Sequence, residues 1–455
     1  MAQAPSIIIL PVENQGRELD AKILLACVAA ERGFPVLIGS RSYIHFQAAS
    51  VPPGVYMAKS MKTRSIRMFA ILCQLGHKIV AWDEEGLLRE PDPVYHRWRL
   101  SSVAMSRIAH LIAWGEDNAR AFRGYSGYHG APIHVIGNSR IDLLRPELRE
   151  FYRVEAKSIR ERLGEFILIN TNFSKVNHFY PALGELKRAA ENRKPGQAEF
   201  YDAGKGRHKL ALFEHFRKML PAFCDAFADH TVVLRVHPSE NSAPWREIAR
   251  CCPNLSLESE GTIHPWLMAT KAVVANGCTT LVESSVLGTP AVNYEPEAVD
   301  EYDFELPRSV SHRAASVDEL IMTVRALVDG KMGPLDYSIR KTALDPHIAA
   351  LEGPLAADRI IDVLEQAGYG RSRPPAPPLL DRTRGWLKNK IRTMQRRVTM
   401  HKPGYRNNMT YHDHRYPGIT VEEMRVRIAR FGGLLHRFHG IRVKRHSKHL
   451  FWIHC

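Results

Sequence analysis

Three carboxylates stand in a row at Asp83, Glu84 and Glu85, followed by Gly86. They come directly after the apolar run 77–82, which reads as a buried strand, so they fall at a strand's carboxyl end. Crowded carboxylates raise one another's pKa, which suits one of them to general-base work on a hydroxyl. A solvated acidic turn accounts for the spacing equally well. A second cluster is Arg235-Val-His237-Pro238, again at a strand end. The histidine can give a proton or hydrogen bond to a phosphate oxygen, and Pro238 fixes the backbone beside it. Arg235, two residues earlier, shares a strand face with His237. His-Pro alone is a weak signal, since His264-Pro265 repeats it. In a third cluster, Asn276-Gly277-Cys278-Thr279-Thr280, a strand runs into a glycine and then into hydroxyl residues at a helix start. Free N–H groups, Thr279 and Thr280 can bind a phosphate there, or serve only as a cap. Glu283, one turn on, is placed to reach a ribose hydroxyl. Asn172 and Ser174 lie in a polar loop suited to substrate or phosphate contact, though alone it is little more than a loop. Glu13 and Arg17 are polar residues that follow the first strand, although an Arg17–Asp20 ion pair at a helix start is the simpler reading.

The elements that position these residues alternate. Apolar runs at 6–10, 34–39, 77–82, 110–114 and 133–136 read as strands, with helical patterns between them, as in a chain of βαβ units. A charged helical segment at 145–162 separates a second series of runs at 166–170, 231–236, 255–257, 272–275 and 291–294. The expected fold is α/β, with two Rossmann-like lobes facing a cleft. Residues 1–150 make the N-terminal lobe and 151–370 the C-terminal one. Ligands of open parallel sheets bind beyond the carboxyl ends of the strands, where the clusters above fall. A proline-rich linker at 371–378 then leads into a basic helical tail, 371–455. In it Leu387, Ile391, Met394 and Val398 recur at helical spacing among lysines and arginines, and Thr420 with Glu423 makes a capping box.

The net charge of +15 is concentrated there. Residues 371–455 carry 20 Lys and Arg against 4 Asp and Glu, while the preceding 370 residues stand at −1. The tail's partner is therefore expected to be anionic. It has neither a stacking-aromatic nor a zinc pattern, which argues against nucleic acid. The seven cysteines form no C-x-x-C pair, and no Asp-x-Asp suggests a bound cation, so neither metal nor cofactor is expected. With no signal-like leader and no apolar run of about 20 residues, the chain reads as cytoplasmic.

The acid-acid-Gly motif, the later His-Pro and the Thr pair together resemble the signatures of bacterial sialyltransferases and capsule Kdo transferases. The segments Pro11-Val-Glu13-Asn, Arg17-Glu-Leu-Asp20, Asp83–Gly86, Val135-Ile-Gly-Asn-Ser-Arg-Ile-Asp142 and Thr279-Thr280…Glu283 resemble bacterial surface carbohydrate biosynthesis proteins over roughly residues 5–365. The resemblance implies a GT-B fold and a CMP-linked donor held mainly by the second lobe. It also implies that Glu84, with Asp83 its rival, acts as base on the acceptor hydroxyl. His237 would assist departure of the CMP phosphate, and Thr279 and Thr280 would bind that phosphate. Some Kdo transferases retain configuration through a carboxylate nucleophile, a role open to Asp83 or Glu84. Two departures stand out: a three-acid run, and threonines where serine is common. A teichoic-acid-type polymerase using a CDP-linked polyol shares the His-Pro element and is the alternative. Surface polysaccharides are commonly built on lipid-linked acceptors, so the tail is expected to hold the enzyme on the anionic inner face of the inner membrane.

Overall fold

The computed structural model describes residues 5–180, 200–402 and 408–455. The chain divides into two compact units, Met1–Phe151 with Asp345–Cys455, and Tyr152–Leu344. The first is built on β1 (Ile7–Val12), β2 (Val36–Ser40), β3 (Gly54–Ala58), β4 (Lys78–Ala81), β5 (Ile108–Ala113) and β6 (Ile133–Val135), all parallel, in the order β2-β1-β3-β4-β5-β6. Every residue of β1 is buried, as expected of a central strand covered on both faces. The helix Gln15–Glu31 follows β1, and Ile23, Leu24, Leu25 and Val28 are fully buried. β3 escapes a reading by apolar runs because it is a five-residue Gly-Val-Tyr-Met-Ala segment just after Pro52-Pro53. It sits between β1 and β4, so it brings the residues that follow it to the same sheet end as Glu13 and the acid trio.

The second unit has β7 (Phe166–Asn170), β8 (Thr231–Arg235), β9 (Leu255–Glu258), β10 (Ala272–Ala275), β11 (Ala291–Tyr294) and β12 (His312–Ala314), again all parallel, in the order β12-β11-β10-β7-β8-β9. Phe166, Leu168, Val233, Val273, Ala275 and Leu281 belong to its core. Both sheets are of the doubly wound kind, with successive strands running parallel and helices between them, as the α/β reading requires.

The C-terminal part departs from the expected helical tail. It belongs to the first unit, and its last residues form β13 (Arg442–Ser447) and β14 (Leu450–His454), a hairpin that adds to the sheet. β14 runs antiparallel to β2 and covers that strand's outer edge, burying Leu450, Phe451 and Ile453. Gly39 in β2 makes the contact possible. Its φ of +148° disfavours any side chain, and a Cβ there would lie 2.0 Å from the His449 carbonyl oxygen. Arg442, Lys444 and Arg445 are exposed on β13, where charge blunts the open edge of the eight-stranded sheet seen among the described residues. The capping box at Thr420 and Glu423 forms, and its helix, Val421–Leu435, packs on Gln15–Glu31. The helix Ala356–Gln366 is capped by Asp142, whose carboxylate accepts from the backbone N–H groups of Ala356 (2.8 Å) and Ala357 (2.9 Å). The boundary expected at 370 therefore cuts through the first unit, and removing residues 371–455 would strip β2 of its neighbour.

Candidate functional sites

In the first unit, the residues after β1, β3 and β4 build a dense charge network. Glu18 is its hub. One carboxylate oxygen accepts from Lys22 Nζ at 2.7 Å and the other from Lys59 Nζ at 2.5 Å, while the Glu13 backbone N–H donates at 3.0 Å. Burial opposes ionisation of Glu18, but Lys22 and Lys59 outweigh it and hold the carboxyl far below its ordinary range. Glu13 is similarly enclosed by Arg41 (3.1 Å), Lys59 (3.1 Å) and Arg415 (3.0 Å).

Glu18→Gln leaves Lys22 and Lys59 underpaired in a buried place and should cost about 3–5 kcal/mol of stability at pH 7, the range for breaking a buried ion pair. The sign with pH follows from the depressed pKa. The carboxylate's contribution is present above its unfolded value near 4.5 and is lost as pH falls below it. Urea melts at pH 7 and pH 4 should show the gap between native and variant protein narrowing on acidification. Equal stability at pH 7 would remove Glu18 from the hub.

The acid trio occupies three different environments. Asp83 is fully buried and fully engaged. Arg99 clamps both its oxygens, through Nε at 2.8 Å and through Nη2, and the Tyr95 hydroxyl donates to it at 3.0 Å. It holds the turn and has no oxygen left for a substrate proton. Glu84, also buried, accepts from Trp82 Nε1 at 2.8 Å, with Lys22 and Arg140 each at 3.9 Å. Those two separations are longer than direct hydrogen bonds, so among the described residues Glu84 has the fewest close donors of the three. Glu85 is half exposed and takes a two-pronged bond from Arg17 at 2.8 and 3.3 Å. Arg17 thus pairs with Glu85, and Asp20 meets Arg427 at 3.0 Å. Gly86 closes the turn on the Asp83 carbonyl at 2.9 Å.

Lys59, Lys62 and Arg99 complete the cluster and were not anticipated. Lys59 and Lys62 follow β3, the strand with no clear apolar run. Burial and the nearby Arg99 push Lys62 down to about 8. Arg140 belongs to the Gly-Asn-Ser-Arg segment. Asn138 caps the short helix there by accepting from the Arg140 backbone N–H at 3.0 Å, and the Arg140 guanidinium lies 5.7 Å from the Trp114 ring centre.

In the second unit, the loops after β7, β8 and β10 come together. The Thr171 hydroxyl accepts from the His237 backbone N–H at 3.1 Å and donates to Glu240 at 2.9 Å. Glu240 also takes the Phe173 backbone N–H at 2.7 Å and Trp245 Nε1 at 3.3 Å. Glu240 thus ties the loop after β7 to the one carrying His237, a positioning role for which its place three residues beyond the histidine is the only sequence cue. His237 Nδ1 accepts from the Ser239 N–H at 3.1 Å, which leaves the neutral ring its proton on Nε2.

Around the helix Thr279–Leu287, Asn170 Nδ2 donates to the Thr280 hydroxyl at 2.7 Å and Asn172 Nδ2 to the Asn276 carbonyl at 2.7 Å. The Asn172 side-chain oxygen, Oδ1, is buried with no partner among the described residues. Gly277 is held through its N–H by Asn293 at 2.9 Å. Thr279, Ser174 and Pro238 are half-buried. Lys209, also unanticipated, comes from the helix Phe200–Ala226 and donates to Asn276 Oδ1 at 2.8 Å. Burial, reinforced by Lys205, pushes it down to about 8.

Two expected donor contacts are differently placed. The Arg235 guanidinium binds the carbonyls of Glu260 (2.9 Å) and Gly261 (3.2 Å) and stacks over Trp266 at 4.8 Å, so it clamps the loop after β9. Glu283 is buried with His264 Nε2 at 3.9 Å, so the second His-Pro pair is its neighbour. Among the described residues no group of three or more His, Cys, Asp or Glu is placed to hold a metal ion, and no helix is long and apolar enough to cross a membrane.

No protein-family model matches the sequence, and no curated protein matches it. Solved structures do match. The wall teichoic acid polymerase TagF, in a variant soaked with CDPG, is 11% identical with a TM-score of 0.50, over 80% of this chain and 89% of that one. UDP-GlcNAc 2-epimerase from Methanocaldococcus jannaschii is 11% identical with a TM-score of 0.48, over 79% and 99%. At such identities the likeness is one of fold, and it agrees with the two doubly wound sheets: the chain is built as two Rossmann-like domains, the GT-B fold.

Proposed function

We propose that the protein is a glycosyltransferase that moves a Kdo- or sialic-acid-like sugar from a CMP-activated donor to a surface polysaccharide or lipid-linked acceptor. The observation that carries this reading is the group assembled at the carboxyl ends of β7, β8 and β10. His237 presents an Nε2 proton, Thr280 a hydroxyl at a helix N-terminus, and Lys209 a cation one hydrogen bond from that helix's entry loop. Together they supply what a departing nucleotide phosphate needs, namely a proton or hydrogen-bond donor and positive potential. Asn172, Ser174, Asn276, Gly277 and Thr279 complete the donor side. In the first unit Glu84 takes the acceptor's hydroxyl proton as that oxygen attacks the anomeric carbon. The bond from that carbon to the phosphate oxygen breaks, and His237 stabilises the released oxygen. Glu13, Arg17 and Glu85 serve the acceptor side. The reaction needs neither metal nor cofactor, and the enzyme works in the cytoplasm at the inner face of the inner membrane.

The fold likeness to TagF keeps a second reading in play, transfer of a polyol phosphate from a CDP-linked donor. Thermal shift separates the two, since a ligand at 100 times its Kd stabilises the native state by about 2.7 kcal/mol. CMP-Kdo or CMP-sialic acid should raise Tm by several degrees, with CDP-glycerol and CDP-ribitol raising it less. Stabilisation by the CDP-polyols alone would transfer the assignment to the second reading, and no shift with any of the four would remove both.

A further inference from the structure

The helix Leu379–Thr399 is amphipathic and packed the reverse of the usual way. An ordinary surface helix turns its apolar stripe to the core. Here the buried residues are Gly385, Asn389 and Thr393, which lie along one face against the helices Ile66–Gln74 and Arg41–Gln47. Gly385 lets the backbones close up, since a Cβ there would come within 2.9 Å of Gln74 Cβ. The Asn389 amide, with Nδ2 toward His45, donates to the His45 carbonyl at 2.9 Å and accepts from the Ala49 N–H at 3.1 Å.

The opposite face carries Leu380, Leu387, Ile391, Met394 and Val398, which stack one above another at helical spacing. These five, with Leu379 and Trp386 beside them, are between 46% and 77% exposed. Cations flank the stripe on both sides: Arg384 and Lys388 along one edge, Lys390 and Arg397 along the other, all exposed. The helix's single acid is Asp381, in its first turn. Contiguous exposed apolar surface of this kind marks a docking site.

We propose that this face docks on an anionic lipid surface, with the helix lying in the plane of the interface, the apolar stripe inserted shallowly and the flanking cations on the headgroups. Charge selects lipid over a second copy of this chain. Two such helices face to face would bring Arg384, Lys388, Lys390 and Arg397 against their own kind, whereas anionic headgroups neutralise them. Beyond the Arg384 and Lys388 edge, towards the packed face, the helix carries the half-buried Arg392 and Arg396, whose charge reaches the network around Arg41 and Glu13. Docking through the apolar face therefore brings the membrane surface close to the strand ends of the first unit. The surface is the helix face alone, and β13 and β14 take no part in it. The inference stands on that face and not on the reading of the reaction.

The test is sedimentation of the full-length chain with vesicles of phosphatidylglycerol and phosphatidylcholine, against vesicles of phosphatidylcholine alone. Two variants accompany it: Ile391→Glu with Met394→Glu, and Lys388→Glu with Lys390→Glu and Arg397→Glu. All five positions are exposed, so Tm should be unchanged, and the second set tests the surface even if the first folds poorly. The native protein should partition at least tenfold better onto the anionic vesicles, less so at high salt, and each variant should lose at least tenfold. Absence of binding, equal binding to neutral vesicles, or full binding by both variants would overturn the proposal. So would a native dimer that the first variant splits without any change in vesicle binding, since the face would then join two copies. Donor-induced thermal shift is read separately, so failure here removes the membrane placement but leaves the donor and the transfer reaction untouched, and the converse holds.

Discussion

Glu84→Gln is expected to lower turnover by about 10²–10⁴-fold, the usual contribution of a positioned base, while donor binding stays near native and Tm falls less than in Asp83→Asn. The expectation rests on how differently the three adjacent acids are held. Asp83 is closed off by Arg99 and Tyr95, so Asp83→Asn should lower Tm through loss of a buried, two-pronged ion pair. Glu85 faces solvent in a bond with Arg17, and Glu85→Gln should retain most activity. Glu84 lies between them, buried beside Lys22 and Arg140, with one close hydrogen bond from Trp82. Steady-state rates for the three isosteric variants, each with its melting curve, separate base from scaffold. An Asp83→Asn protein that folds normally yet is inactive, beside an active Glu84→Gln protein, would shift the role to Asp83. A covalent sugar adduct on either acid, found by mass spectrometry, would mark a retaining double displacement.

His237→Ala carries the second large effect. Removing the imidazole takes away the Nε2 proton that the donor-side reading places at the leaving phosphate, and turnover should fall by about 10²-fold or more with the fold intact. The loop should survive, because Glu240, Thr171 and the backbone N–H of residue 237 hold it independently of the ring. Glu240→Ala gives the contrast. It should perturb the same loop and show its damage in Tm as well as in rate. A folded His237→Ala protein with near-native turnover would take the histidine out of the site.

The sequence made the sheets legible where strands are buried on both faces. The runs beginning at Ile7, Phe166, Thr231 and Ala272 are continuous apolar stretches, and each is a strand bracketed by its neighbours. Because the first residues beyond such strands must lie at the sheet's carboxyl edge, the acid trio, His237 and the Thr pair could be located from spacing alone. What spacing could not supply was partnership. Nothing near Arg235 in sequence foretells the carbonyls of Glu260 and Gly261, and nothing near Glu18 foretells Lys59, which arrives by way of β3.

The C-terminal part shows the same division. β13 alternates Arg-Val-Lys-Arg, so charge masks its strand period, and only pairing through β14 to β2 gives it a place. The stripe Leu387, Ile391, Met394, Val398 was plain in the sequence, yet amphipathicity does not say which face a helix buries. Close packing at Gly385 and the amide of Asn389 decide it, in favour of the polar side.

The most direct test of the transferase assignment is nucleotide release by the full-length protein given CMP-Kdo, CMP-sialic acid, CDP-glycerol and CDP-ribitol in parallel, with a glycan acceptor present and the product weighed by mass spectrometry. The account predicts acceptor-dependent release of CMP from a CMP-sugar, an acceptor heavier by one sugar residue, and little turnover of either CDP-polyol. Acceptor-dependent release from a CDP-polyol, with an acceptor heavier by one polyol phosphate and no turnover of the CMP-sugars, would contradict it.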